Sequence, residues 1–146
     1  MKKTKLKKKV QVVVLRYDSL DKCWYLLRLR TNKKRGHFWQ NVTGSIEKED
    51  LNFRRGAMRE LKEETGIKGK DLQKCTSLKF SYQYLSKQGF PILEKCYFAF
   101  VLKDKIKLDP KEHDQYEWKK LKKTKRSDYL HALNYKATRL ASIYCK

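Results

Sequence analysis

Three glutamates, Glu60, Glu63 and Glu64, stand at i, i+3 and i+4, a spacing that puts their carboxylates on one face of a helix. Like charges so placed destabilise a helix by roughly 0.2–0.5 kcal/mol per pair, so the face calls for a cation. Arg59 is one next door. A hard divalent ion, Mg²⁺ or Mn²⁺, is the other natural partner, because it prefers carboxylate and water oxygens. Clustered carboxylates holding such ions can neutralise phosphate oxygens and activate a water at neutral pH. Hydrolysis of a phosphoanhydride needs both.

The element that must carry these residues is punctuated as a complete helix. Asp50 or Asn52 can cap its start, and Gly66 stands where a left-handed residue would end it. Phe53, Ala57 and Leu61 follow at steps of four, with Met58 beside them. One apolar stripe and one acidic stripe are therefore expected.

Gly44, followed by Arg59-Glu60-Leu61-Lys62-Glu63-Glu64-Thr65-Gly66-Ile67, resembles the Nudix box, G-x5-E-x7-R-E-U-x-E-E-x-G-U with U aliphatic. Every specified position from Arg59 to Ile67 matches. The first half departs: Gly44 to Arg59 is a step of 15, one longer than the pattern, and the early glutamate becomes Glu49 or Asp50. The resemblance implies an α/β/α sandwich around a mixed β-sheet, with the box as a loop–helix–loop. It implies an enzyme that hydrolyses a diphosphate bond in a nucleoside diphosphate linked to another group. Glu60, Glu63 and Glu64 would be metal ligands, Gly44 a ligand through its backbone oxygen, and Arg59 the residue that orients the carboxylates.

The resemblance extends beyond the box. Phe38-Trp39-Gln40, then Val42-Thr43-Gly44-Ser45-Ile46-Glu47, is similar to bacterial dihydroneopterin triphosphate diphosphatases, Nudix enzymes of folate synthesis. A wider group with the same Trp-Gln includes RNA 5′-pyrophosphohydrolases and dinucleoside polyphosphate hydrolases, which more often carry Pro-x-Gly-Gly before the box. Glu112-His113, ahead of a strand with Trp118, resembles the late segment of the pterin enzymes. It implies that Glu112 is a further metal ligand or the base that takes the water proton, with His113 and Glu117 as weaker candidates. For the substrate, Phe38 and Trp39 offer stacking faces, Tyr82 or Tyr84 could line the base, and Arg28 and Arg30, on one face of a strand, could contact phosphate.

Three readings follow: a pyrophosphohydrolase of dihydroneopterin triphosphate or a nucleoside triphosphate; an enzyme of RNA 5′ ends or dinucleoside polyphosphates; and a non-catalytic nucleic-acid-binding module of the same fold. The intact acidic set favours an enzyme. The net charge of +21 attracts polyanions of every kind, RNA included.

The remaining chain supplies the scaffold. Residues 10–17 and 23–30 read as a buried strand hairpin, 77–85 as an alternating strand, 94–102 as a further buried strand, and 127–142 as one or two amphipathic helices. Residues 1–9, with six lysines, read as a basic tail able to touch RNA phosphates, and 10–146 as a single domain. Cys23, Cys75, Cys96 and Cys145 lack Cys-x-x-Cys spacing and read as reduced thiols of a cytoplasmic protein. No apolar run approaches the length of a membrane span.

Overall fold

The computed structural model describes residues 5–146. Its centre is strand β1 (Lys7–Asp18), whose alternating side chains feed two separate cores. Val10, Val12 and Val14 pack with Ala57 and Leu61 of helix α1 (Phe53–Thr65). Val13 and Leu15 pack with Ala137 and Ala141 of helix α2 (Ala132–Ser142). A strand that is apolar on both faces can only be buried on both faces, and one helix on each makes the α/β/α sandwich.

The sheet is mixed and seven-stranded. β1 pairs antiparallel with β2 (Cys23–Thr31), and parallel with β6 (Pro91–Val101), which pairs antiparallel with β5 (Leu72–Leu85). β7 (His113–Lys120) lies along β2, antiparallel to it. The hairpin of β1 and β2 is paired only near its turn, from Leu15 opposite Leu26 to Asp18 opposite Cys23. Farther from the turn the two strands part. β3 (Trp39–Gln40) takes the freed edge of β2 at Leu29 and Arg30, and β4 (Val42–Ser45) takes the freed edge of β1 from Lys9 to Val12. Asn41, between β3 and β4, is fully buried at this parting.

The basic segment expected at residues 1–9 is divided. Residues 1–4 lie outside the described residues, while Lys7, Lys8 and Lys9 already belong to β1, opposite Ile92, Leu93 and Glu94. The four cysteines are free thiols. No helix among the described residues is long and apolar enough to cross a membrane.

Candidate active site

α1 begins where its sequence says. The Asn52 side chain accepts from the Arg55 N–H at 2.8 Å, and Gly66, at φ 80°, closes the helix by donating its N–H to the Lys62 carbonyl. These two contacts satisfy backbone groups that a helix end leaves open. Asp50 stays outside the helix and does something else.

It holds Arg59. The guanidinium donates from Nε and Nη2 to the Asp50 carboxylate at 3.0 Å, from Nη1 to Glu60 at 3.1 Å and Glu63 at 3.0 Å, and from Nη2 to the Ser45 carbonyl at 2.8 Å. One planar cation thus ties the loop after β4 to the acidic stripe of α1. Burial would raise the Asp50 carboxyl, but the Arg59 hydrogen bonds outweigh it and hold its pKa below the ordinary value. Asp50 is the sixth residue after Gly44, as in the box pattern, so the additional residue falls between Asp50 and Arg59. Of that span, Leu51 and Asn52 lie outside α1, and both are exposed.

Glu60 is pressed against Gly44. A Cβ on Gly44 would lie 2.0 Å from the Glu60 carboxyl carbon, so only glycine admits the carboxylate here. Burial is the main reason its pKa is pushed up to about 7; Arg59 opposes the shift, and Glu63 and Glu64 add to it. Glu63 is half exposed. Glu64 is buried and accepts from His113 Nδ1 at 2.8 Å, while His113 Nε2 meets the Gln40 amide nitrogen at 2.8 Å. If the Gln40 amide donates, the imidazole accepts at Nε2 and gives its Nδ1 proton to Glu64, so a neutral ring fits both contacts. His113 is 2% exposed.

The late glutamate is placed differently from its expectation. Glu112 is paired with Arg35 of the loop between β2 and β3, and it is the next residue, His113, that touches the box. The two strand arginines are also engaged. Arg28 donates to Glu117 at 2.9 Å and to the Asp128 carbonyl, with its guanidinium 4.5 Å from the Trp39 ring centroid. Arg30 pairs with Asp114 at 2.9 Å. Neither presents a free guanidinium to a phosphate, and Trp39 is covered by Arg28 rather than open for stacking. Phe38 and Tyr82 are differently situated. Both line a cavity of about 590 Å³, together with Tyr84, Gln40, Thr43 and Arg35.

That cavity lies beside the start of α2, whereas the box helix packs on the opposite face of the sheet. Two features join them. Thr43 lines the cavity and precedes Gly44, which rests on Glu60. Gln40 lines it too, and reaches Glu64 through His113. Both routes pass through the parting of β1 and β2.

Whether the box could hold a divalent ion is testable on its residues. Among those described, no three His, Cys, Asp or Glu side chains converge as a ready-made cage; Arg59 and His113 occupy the carboxylates instead. Yet the donor set is oxygen-rich, Glu60 is buried with its pKa raised mainly by that burial, and its carboxylate lies directly against the Gly44 backbone. A hard cation fits that chemistry.

A match to the NUDIX domain family spans residues 7–140 of the chain. Comparison with curated proteins by sequence gives no match. Solved structures give many. An Ap4A hydrolase of C. elegans, in a binary complex, is 22% identical with a TM-score of 0.76, over 95% of this chain and 97% of that one. The E. coli dihydroneopterin triphosphate pyrophosphohydrolase is 21% identical with a TM-score of 0.75, over 95% and 98%. The NUDIX domain of Shewanella oneidensis NrtR, complexed with ADP ribose, is 16% identical with a TM-score of 0.76, over 96% and 88%. At these identities the likeness is one of fold.

Proposed function

Because the chain belongs to the NUDIX family and is a hydrolase of phosphorus-containing acid anhydrides, we propose that it cleaves a diphosphate bond of a nucleoside or pterin triphosphate, with the base in the cavity beside α2 and the phosphates at α1. The observation that carries this reading is the contact of Gly44 with the Glu60 carboxylate, since it sets a buried acid beside the wall that leads to the cavity.

Glu60, Glu63, Glu64 and the Gly44 carbonyl would hold Mg²⁺ or Mn²⁺, with Glu112 joining on release from Arg35; the ions would neutralise phosphate oxygens and lower the pKa of a water. The residues do the rest. Arg59, fixed by Asp50 and Ser45, keeps Glu60 and Glu63 aimed to one side of α1. His113 holds Glu64 in one rotamer, and a ligand carboxylate so held costs less to organise when substrate arrives. Lys9, Arg35 and Lys87, along the cavity, attract the polyphosphate. A cavity of about 590 Å³ suits a bicyclic base, within the usual range for small-molecule sites.

A second reading, hydrolysis of RNA 5′ ends or dinucleoside polyphosphates, draws on the +21 charge. One assay separates the two: phosphate and diphosphate release with Mg²⁺ from dihydroneopterin triphosphate, the common nucleoside triphosphates, a diadenosine polyphosphate and 5′-triphosphorylated RNA. Preference for the small triphosphates supports the first. Preference for RNA, weakening steeply with salt, supports the second. No release from any of them refutes both.

A further inference from the structure

The floor of the cavity is built from one carboxylate and the groups that point hydrogens at it. Glu94, 6% exposed, accepts from the Tyr82 hydroxyl and from Gln11 Nε2 (3.2 Å) on Oε2, and from the Tyr84 hydroxyl (3.0 Å) on Oε1. The direction of these bonds is set from behind. Tyr129 gives its hydroxyl proton to Asn41 Oδ1 at 2.7 Å, Asn41 Nδ2 donates to Gln11 Oε1 at 2.8 Å, and Gln11 then faces the cavity with its amide hydrogens, donating also to the Tyr82 hydroxyl at 3.0 Å. Each proton in the chain points towards Glu94.

A floor wired this way has spent its donors. What it still offers is lone pairs: a carboxylate has about four acceptor sites, three of which these bonds use, and the Tyr84 hydroxyl oxygen, 3.0 Å from Oε1, accepts from no described residue. Two adjacent acceptors call for two adjacent N–H donors. The cations that line the same cavity, Lys9, Arg35 and Lys87, make no ion pair with Glu94 among the described residues; Arg35 is held by Glu112. Lys9 and Lys87 are left for the opposite, anionic end of a ligand.

We propose that Glu94, with Tyr84, reads the edge of the substrate's base, and that the substrates are those with a 2-amino-4-oxopyrimidine ring, the ring of guanine and of pterins. That ring presents a cyclic amide N–H beside an exocyclic amine, two donors side by side. Hypoxanthine keeps the first and lacks the second. Adenine sets a ring-nitrogen acceptor beside its amine, and that acceptor would face the carboxylate lone pairs, leaving a buried repulsion that a hydrogen-bonding site rejects strongly. This inference rests on the reading of the cavity as the base site of the hydrolase.

The test uses the full chain with GTP, ITP and ATP, which differ at that edge. With Mg²⁺, kcat/KM for GTP is expected to exceed that for ITP by about 10- to 100-fold, the worth of a hydrogen bond to a charged group, and that for ATP by at least as much. Glu94→Gln replaces one acceptor with a donor. It should depress GTP turnover and move the GTP-to-ATP ratio towards ATP, whose edge the amide complements. Tyr84→Phe, which keeps the ring, should narrow the GTP-to-ITP ratio with less risk to folding, and circular dichroism checks both variants. Turnover of all three nucleotides at similar rates, or ratios unchanged in both variants, overturns the inference and leaves the hydrolase reading intact. Absence of turnover of all three counts against nucleoside triphosphates as substrates and leaves the hydrolase reading to the wider panel. Calorimetric titration of the three nucleotides into metal-free protein then decides the inference alone: tighter GTP supports it, while equal binding or none overturns it.

Discussion

The two polar clusters on either side of the sheet are made from opposite materials. On the α1 side a single guanidinium is shared among Asp50, Glu60, Glu63 and the Ser45 carbonyl, with Glu47 within 3.4 Å. Negative charge is in excess there. On the α2 side Asn41 is met by Tyr129, Gln11, Thr138 and the Asn134 backbone and side chain, and every group in that knot is neutral. The first cluster carries more carboxylates than its one guanidinium balances; in the second, Asn41 finds a partner for each of its side-chain polar groups. The difference separates a part built for charge from one built for shape and for the direction of hydrogen bonds.

That contrast can be broken from either side, and the largest effect is expected at the charged one. Glu64→Gln should lower Mg²⁺-dependent turnover by about a thousandfold or more, because a ligand charge is lost while the volume is kept; steady-state rates beside an unchanged circular dichroism spectrum check this. Wild-type rates would remove Glu64 from the site. The neutral knot should respond in stability instead. Asn41→Leu strands the polar groups of Tyr129, Gln11 and Thr138 and is expected to cost about 3 kcal/mol in urea unfolding, whereas Glu64→Gln should leave the midpoint comparatively little changed.

His113 lies between the two clusters and sharpens the comparison. His113→Asn, too short to reach both Glu64 and Gln40, should weaken Mg²⁺ affinity by about 10- to 100-fold, read by calorimetry; an unaltered affinity would make the histidine a core residue only. A smaller effect concerns protons. The Glu60 pKa is raised above the ordinary carboxylate value to about 7, so the metal-free folded state holds a proton that the unfolded chain releases. Its stabilising share is present at pH below about 4.5 and is lost as the pH rises through about 7. A cation competes with that proton, so Mg²⁺ affinity should climb by at most about tenfold per pH unit below 7 and level off above it. At the surface the effects should fade: Asp114→Ala, which frees Arg30, is expected to change stability by less than about 1 kcal/mol, measured in the same urea series.

Features that are local in sequence were legible in it. The caps of α1, its two stripes and the β1–β2 hairpin rest on residues within a few positions of each other, and the structure forms them as the pattern requires. Burial of β1 on both faces likewise follows from the apolarity of residues 10–15, whereas the α/β/α architecture was implied by the resemblance of the box. What escaped depends on register between distant strands. Arg28 opposite Glu117 is one pairing across β2 and β7, 89 residues apart in sequence, and nothing near Arg28 in the chain announces it. The placing of Glu112 and His113 turns on one residue. The ladder of β2 and β7 shifts register between Arg30 and Thr31 and leaves His113 opposite Thr31, buried, with Glu112 just outside the strand. Nothing beside Asn41 in the chain marks it, because its partners come from positions 11, 129, 134 and 138. Tyr82 and Tyr84 were visible as strand aromatics, but their common carboxylate, Glu94, emerges only when β5 is laid against β6.

The parting of β1 and β2 has a consequence for how such an enzyme can change. An intact sheet is a wall, and whatever happens on one side must be rebuilt when the other is altered. Here the wall has a doorway, crossed by a few side chains and by no helix. On the proposed assignment, the residues that cut a bond and those that choose what is cut would occupy separate rooms. New tastes could then be acquired by refurnishing β5 and β6 while the cutting edge on α1 stayed as it was.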